Sequence, residues 1–126
     1  MTSDKFSMKK RLQSFSHAFR GLRLLVKETH NARIHIFTAV MVVFCGVFFE
    51  ITLGEWLTLI ILITLVLAAE LFNSALEYLC DAVTTEFHPA IKNAKDMAAG
   101  AVLVMSIGAA IAGLLIFLPY LINYIE

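Results

Sequence analysis

The sequence TLVLAAELFNSALEYLCDA, residues 64–82, decides the fold, because it is apolar enough to cross a membrane yet carries polar side chains at regular intervals. Glu70, Asn73, Glu77 and Asp81 follow one another every three or four residues. At about 100° of rotation per residue, a helix places them within a sector of roughly 80°. A carboxylate at membrane depth is costly, so it usually faces a partner, a cavity or an ion. These four residues, which we call the acidic stripe, therefore predict a functional site.

Composition places the chain among integral membrane proteins. Of its 126 residues, 60% are apolar and 16% are charged, which is too apolar for a soluble domain of this size. The formal net charge is zero, but eight of the ten Lys and Arg residues precede Ile34. We expect one all-α membrane domain over residues 1–126, and we predict no nucleic-acid partner.

Three apolar runs predict transmembrane helices at residues 34–50, 55–82 and 96–124. The short connection between the first two runs carries acidic residues and no base, whereas all ten bases lie in the N-terminal segment and the link 84–95. Cytoplasmic loops of membrane proteins are enriched in Lys and Arg. We therefore expect a multi-pass membrane protein with its N-terminus in the cytoplasm and its C-terminus outside.

The segment 1–30 predicts a basic amphipathic helix that is too polar to span a bilayer. Its apolar residues alternate at intervals of four and three, and they are Met8, Leu12, Phe15, Phe19, Leu22 and Val26. Basic and polar side chains occupy much of the opposite side. Such a helix lies in the headgroup layer, where it serves as a simple anchor or contacts a phosphorylated ligand.

Further charged residues gather where the second and third spans meet the predicted cytoplasmic side. Pro89 discourages helix at His88, so a turn is predicted there that brings the two helices together. The same region supplies Glu86, Lys95 and Asp96. Carboxylates without paired His or Cys suit a hard cation such as Mg²⁺, and a lysine can hold a phosphate group. Metal, phosphate and a base together indicate phosphoryl transfer.

Alternatives stay open for the charged residues. Glu77 and Asp81 could be solvated near the interface or paired with Lys95 as structure, whereas the deeper Glu70 favours a base or proton-handling role. The competing class of function is a non-catalytic membrane oligomer whose acidic stripe binds cations.

Other polar and small residues have simpler interpretations. His30 and His35 are interpreted as interfacial hydrogen-bonding residues rather than ligands. Gly108 and Ala112 in the third span favour close helix packing. Either self-association or the N-terminal helix would then enclose the acidic stripe.

Three stretches carry a resemblance to a known family. Residues 69–77 read AELFNSALE, residues 86–89 read EFHP and residues 94–103 read AKDMAAGAVL. An AEL-x-N-[ST]-A-x-E helix followed by an AKD helix closely resembles the prokaryotic diacylglycerol kinase and undecaprenol kinase family. FRGLR at residues 19–23 and HNARIH at residues 30–35 extend the likeness over nearly the whole chain.

The resemblance implies a homotrimeric lipid kinase of the bacterial inner membrane, with a surface helix and three transmembrane helices per subunit. ATP would be the phosphate donor, Mg²⁺ the metal and a membrane lipid alcohol the acceptor. The residue matching Glu70 is the general base with Asn73 beside it, and Glu70 and Ala99 would contact the lipid. Glu77 would bind the metal, with Asp81 in support. The nucleotide would contact Glu77 together with Lys10, His17, Glu86, Phe87, His88, Lys95 and Asp96.

Two features of the sequence bear on the details of that resemblance. The family's second metal-binding glutamate falls on Thr29 by ungapped alignment, while Glu28 stands one place earlier; we predict that Glu28 reaches the metal. The His-Pro pair after Phe87 and the Asn-x-Arg-Ile-His run look more like the undecaprenol kinase branch. We therefore expect undecaprenol as the acceptor, with diacylglycerol, giving phosphatidic acid, as the alternative.

Overall fold

The computed structural model describes residues 6–126, and this part of the chain is helical and without β-strands. In chain order its helices are α1 (Met8–Glu28), α2 (His30–Phe48), α3 (Leu53–Val83) and α4 (Pro89–Ile125). The predicted all-α architecture is confirmed. Residues 1–5 of the predicted surface helix lie outside the described residues.

α1 is capped at one end and broken by an extended residue at the other. The Ser7 hydroxyl accepts a hydrogen bond from the third backbone N–H of the helix, which satisfies one of the free donors of the first turn. The helix ends at Glu28, because Thr29 has a φ of −107° and a ψ of 110°. Leu25 packs into the bundle, whereas the apolar side of α1 stays exposed. An exposed apolar side on a basic helix suits a headgroup layer.

The turn between α2 and α3 is fixed by close packing and by helix caps. A Cβ built on Gly46 would lie 2.6 Å from the Trp56 ring, so glycine permits this approach. Glu50 has a φ of 51°, in the left-handed region, and reverses the chain. Thr52 then begins α3 through a reciprocal capping box with Glu55. Local sequence thus ends one helix and starts the next.

Aromatic side chains join α4 to this turn. The Tyr120 hydroxyl donates a hydrogen bond to the Glu55 carboxylate at 2.7 Å. The Phe49 ring centroid lies 6.3 Å from that of Phe117 and 6.2 Å from that of Tyr124. We call this end of the bundle the aromatic end, and the opposite end, which holds the connection from α3 to α4, the link end.

At the link end, α4 begins earlier than the span predicted from residue 96. Thr84 ends α3 in an extended conformation, with a φ of −159°. The His88 side chain then accepts a hydrogen bond from the Ala90 backbone N–H at 3.2 Å and caps α4. Pro89 takes the first helical position, where its fixed φ suits a helix and its missing N–H costs nothing. The chain therefore turns back sharply.

Few side chains of the described chain are buried, which is typical of a bundle that faces lipid or further protein. The buried apolar residues are Leu25, Ala32, Ile51, Leu59, Val66 and Cys80. α4 has no buried residue. α2, α3 and α4 are each long and apolar enough to cross a membrane. The predicted membrane fold is confirmed, and the homotrimer stays a prediction.

A cavity of about 650 Å³ lies between α2, α3 and α4. Its walls are mostly apolar. His35 of α2 and Ser106 of α4 form polar positions on its lining, and Phe117 marks its extent toward the aromatic end. The cavity thus runs along the bundle interior from the depth of His35.

Candidate active site

Glu70 is the largest fully buried side chain in the described part of the protein, with 1% of its surface exposed. α3 holds it against α2, where His35 Nε2 lies 3.2 Å from Glu70 Oε1. This is an ion-pair distance without hydrogen-bond alignment, since Oε1 makes no hydrogen bond among the described residues. A buried carboxylate oxygen therefore keeps a free lone pair.

Asn73, one turn along α3, also has a buried side-chain oxygen without a hydrogen bond in the described part of the chain. Its Oδ1 atom is buried and makes no hydrogen bond within residues 6–126. Leaving a buried polar atom unpaired costs about 1–3 kcal/mol, so such atoms are rare. Because Glu70 and Asn73 are three residues apart, they lie on the same face of the helix. Two unpaired acceptors on one face indicate a place where a ligand or a neighbouring subunit completes the site.

Ser106 of α4 also lies close to His35. Its Oγ atom is 3.5 Å from His35 Nε2, and its hydroxyl donates a hydrogen bond to the Val102 carbonyl at 2.7 Å. A lone pair of Ser106 therefore faces the imidazole. Since Nε2 faces two acceptors, Ser106 Oγ and Glu70 Oε1, the geometry assigns the ring hydrogen to Nε2.

The acidic stripe passes from the interior to the surface along α3. Glu70 is buried, Asn73 is half-buried, and Glu77 and Asp81 are exposed. The Lys95 ammonium donates a hydrogen bond to Asp81 at 2.6 Å, which joins α4 to α3 beside the link. Asp81 thus makes the lysine pairing that the sequence left open, while Glu77 stays accessible.

The predicted nucleotide-binding residues of the link lie around the exposed end of the stripe. Glu86 and Phe87 are exposed. His88 caps α4 through its Nδ1 atom. Asp96 pairs with Lys92, one turn earlier on the same helix, at 2.7 Å. A ligand that bound the Asp96 carboxylate would therefore compete with the Lys92 ammonium.

The remaining predicted residues are distributed over two helices. Lys10 and His17 lie on the exposed surface of α1, toward its N-terminal half. Ala99 is exposed on α4, one turn beyond Lys95. The small side chain of Ala99 leaves open surface next to the end of the acidic stripe.

The C-terminal end of α1 reaches α3 through two neighbouring residues. The Tyr78 hydroxyl donates a hydrogen bond to the Glu28 carboxylate. Thr29 Oγ1 lies 3.3 Å from Ser74 Oγ. By helical rotation, Ser74 shares the face of the acidic stripe and Tyr78 lies at its edge. Both candidates for the second metal position therefore contact α3 beside the stripe.

The donor atoms of the stripe fit Mg²⁺ shared with a phosphate ligand. Among the described residues, no three His, Cys, Asp or Glu side chains form a group that could hold a metal ion. Mg²⁺ commonly uses one or two carboxylates and completes its shell with water and substrate phosphates. Glu77 and the unpaired Asn73 Oδ1 supply oxygen donors on one face. The site suits this arrangement rather than a cage made of protein alone.

Sequence comparison agrees with this chemistry. The profile of the family described as prokaryotic diacylglycerol kinase matches residues 16–117, which include the whole stripe and the link. The chain belongs to this family. It is 41% identical over 109 residues to an undecaprenol kinase of Bacillus subtilis (strain 168), with 86% of this chain and 89% of that protein covered.

Other similar proteins are diacylglycerol kinases. One of Synechocystis sp. is 37% identical over 113 residues, which cover 89% of this chain and 65% of that protein. One of Helicobacter pylori is 48% identical over 50 residues, 40% of this chain and 39% of that protein. Family membership makes the chain a membrane lipid kinase that uses ATP. The alternative of a non-catalytic cation-binding oligomer does not hold.

Reasoning from the sequence missed the surroundings of Glu70. His35 was interpreted as an interfacial hydrogen-bonding residue, whereas it lies beside the buried carboxylate and also near Ser106. His35 and Ser106 are polar residues inside apolar runs, and this is the feature of the sequence that indicates a role for them. The pattern within one run does not show which residue of another helix it meets.

Proposed function

We propose that this kinase phosphorylates the hydroxyl of undecaprenol with ATP and releases the lipid monophosphate. The observation that carries the proposal is the buried Glu70 carboxylate, whose Oε1 keeps a free lone pair. It lies beside His35, which lines an apolar cavity. An alcohol that enters from the membrane would find there an acceptor for its proton.

Glu70 would act as the general base. As the lipid oxygen attacks the γ-phosphorus, its O–H bond breaks and the proton passes to Glu70. A new O–P bond forms while the bond to the β-phosphate oxygen breaks and ADP leaves. Because such a transfer depends mainly on positioning and charge, Asn73 next to the base would help to orient the reacting groups.

Glu77 and Glu28 would hold Mg²⁺ together with the phosphates of ATP. Glu77 is exposed on the face that carries Glu70, and the Tyr78 hydroxyl holds Glu28 against α3. Bound Mg²⁺ would supply positive charge to the phosphate oxygens. Asp81 would support the site by holding Lys95, which lies 2.6 Å away.

We place the nucleotide at the link end of the bundle. The exposed side chains of Glu86 and Phe87 and the ammonium of Lys95 border the outer part of the stripe. His88 and Asp96 belong to the same surface. From α1, Lys10 and His17 would contact the nucleotide, and on α4 the open surface at Ala99 would admit the lipid.

The relatives support undecaprenol over diacylglycerol as the acceptor. The undecaprenol kinase is matched over 89% of its length at 41% identity, and the diacylglycerol kinase of Synechocystis over 65% at 37%. Diacylglycerol is the second candidate, because relatives of that name match as well. Both lipids offer a primary hydroxyl, so the same base would serve either.

We further propose a homotrimer in the bacterial inner membrane. The absence of buried residues on α4 and the unpaired atoms of Glu70 and Asn73 support completion of the site by a neighbouring copy. The Lys and Arg residues near α1 and the link support an N-terminus in the cytoplasm and a C-terminus outside.

Transfer of labelled γ-phosphate tests the proposed function. Purified protein in vesicles would receive undecaprenol and diacylglycerol at matched surface concentrations, with Mg²⁺ present. We expect kcat/KM to be greater for undecaprenol. The reverse order would identify the protein as a diacylglycerol kinase, and no transfer to either lipid would contradict a lipid alcohol as substrate.

Glu70→Gln tests the base. The amide keeps the shape of the side chain but does not accept the hydroxyl proton, and loss of general base catalysis typically costs about 100- to 10,000-fold in rate. Glu50→Gln, an exposed acid at the aromatic end, is the matched control and should keep full activity. An unchanged rate for Glu70→Gln would disprove Glu70 as the base.

A further inference from the structure

We infer that His35 is a positioning residue of the kinase reaction. It holds the Glu70 carboxylate in the orientation that receives the proton of the lipid hydroxyl, and Ser106 in turn restrains the imidazole. This inference rests on the proposed role of Glu70 as the base.

Three atoms from three helices make up the arrangement. His35 Nε2 of α2 lies 3.2 Å from Glu70 Oε1 of α3. The same Nε2 atom lies 3.5 Å from Ser106 Oγ of α4. Since the Ser106 hydrogen is engaged by the Val102 carbonyl at 2.7 Å, Ser106 faces the imidazole as an acceptor. The ring N–H thus lies between two oxygen atoms.

This contact restrains Glu70 without using the lone pair that the reaction needs. Glu70 is 1% exposed, so water does not stabilise its charge. Among the described residues, His35 lies at ion-pair distance from it, with Nε2 3.2 Å from Oε1. This contact holds the carboxylate toward α2. Oε1 stays without an aligned hydrogen bond and is free to accept a proton.

His35 lies between Glu70 and the cavity. The imidazole contacts Glu70 and also lines the cavity between α2, α3 and α4. It therefore separates the carboxylate from a space that suits hydrocarbon. A lipid hydroxyl that enters this cavity would therefore reach the Glu70 carboxylate beside the His35 ring.

Phosphoryl transfer needs no further reactant for this role of His35. The proton of the lipid hydroxyl passes to Glu70 as the lipid oxygen bonds to phosphorus, and ADP leaves. His35 keeps its Nε2 hydrogen throughout. Ser106 keeps its own hydrogen on the Val102 carbonyl.

Four variants test the role of His35 in steady-state kinetics with undecaprenol and MgATP. His35→Leu removes the imidazole that contacts Oε1, and kcat should fall roughly 10- to 100-fold, because a small misplacement of a reacting group can cost about 100-fold in rate. KM for ATP should change less than about twofold, because His35 lies away from the link. His35→Gln offers an amide N–H near the Nε2 position and should recover most of kcat. Ser106→Ala should have a small effect of a few-fold.

Thr58→Val is the matched control. Thr58 lies on α3 outside the lining of the cavity, and its hydroxyl donates to the Gly54 carbonyl at 2.9 Å rather than to the site. Its kcat should equal that of the unmodified protein. A normal kcat in His35→Leu, or equal losses in His35→Leu and His35→Gln, would overturn the inference. If His35→Leu does not fold, a Ser106→Ala variant as active as Thr58→Val would overturn it.

A double variant shows whether His35 acts through Glu70. In the Glu70→Gln background, His35→Leu should leave the residual rate unchanged, and a further fall of the same size would refute positioning. Full activity of Glu70→Gln contradicts the proposed base itself. Loss of activity in Glu70→Gln together with a normal kcat in His35→Leu contradicts only the positioning role.

Discussion

At the scale of single residues, the site consists of polar groups that the fold leaves unsatisfied. Burial normally selects against such groups, because an unpaired acceptor costs about 1–3 kcal/mol. Glu70 Oε1 and Asn73 Oδ1 nevertheless lie unpaired on one face of α3. The proposed roles would explain this cost, since a base and an orienting amide need free lone pairs at the moment of reaction.

Glu28 and Thr29 can be separated by their dependence on Mg²⁺. Glu28→Gln should raise the Mg²⁺ concentration for half-maximal activity at least about tenfold, because a neutral amide binds a hard cation more weakly than a carboxylate. Thr29→Val keeps the shape of the side chain and loses the 3.3 Å contact with Ser74, so its Mg²⁺ dependence should stay normal.

Titration of phosphoryl transfer with MgCl₂ at saturating ATP measures both variants. A shifted Mg²⁺ dependence in Thr29→Val and a normal one in Glu28→Gln would move the metal position to Thr29. Thermal melting in detergent would show that both proteins remain folded.

At the scale of secondary structure elements, the ends of the helices place the site. Extended residues end α1 at Thr29 and α3 at Thr84, and His88 caps α4. Beside these ends, the C-terminus of α1 contacts Ser74 and Tyr78 of α3, and Lys95 of α4 contacts Asp81. The hairpin of α2 and α3 then sets the register that brings His35 to Glu70.

The α2–α3 register should depend on Gly46. In Gly46→Ala the added methyl group would lie 2.6 Å from the Trp56 ring. Such overpacking typically destabilises a protein by about 1–3 kcal/mol, so we expect a lower melting temperature in detergent. Gly54→Ala is the control, because a Cβ there meets nothing within 4 Å. Equal melting temperatures of the two variants would show that the hairpin tolerates a wider separation.

At the scale of the whole molecule, one copy of the chain leaves its longest helix largely uncovered. α4 has no buried residue, and large apolar side chains are exposed along all three long helices. Lipid can cover much of this surface. The polar face of α3 is costly in contact with lipid, and a neighbouring copy that enclosed it would remove that cost, which supports the proposed assembly of subunits around the site.

Gly108→Leu tests that assembly. The position is exposed on α4 with nothing within 4 Å in one chain, and small residues of this kind permit close approach of helices in membranes. We expect the variant to shift from trimer to monomer in native mass spectrometry and to lose most activity. Leu103→Val, exposed on the same helix about 140° of rotation away from Gly108, should stay trimeric. An unchanged trimer in Gly108→Leu would place the interface elsewhere.

Much of the architecture could be read from the sequence, because hydropathy and periodicity are local properties. Apolar runs predicted the three long helices, and the spacing of Glu70, Asn73, Glu77 and Asp81 predicted one polar face. The early start of α4 at Pro89 was missed, since the span was placed by hydropathy while the helix begins at its cap. Proline at a first helical position is compatible with helix on its C-terminal side.

The sequence by itself determined that this protein is a membrane bundle with an acidic stripe, because the membrane admits few alternatives for apolar runs with periodic charges. Tertiary structure decided which side chains meet that stripe. Lys95 pairs with Asp81, Tyr78 binds Glu28, and His35 with Ser106 surrounds Glu70. Such contacts join side chains of different helices, and they depend on helix register and crossing, which no local pattern encodes.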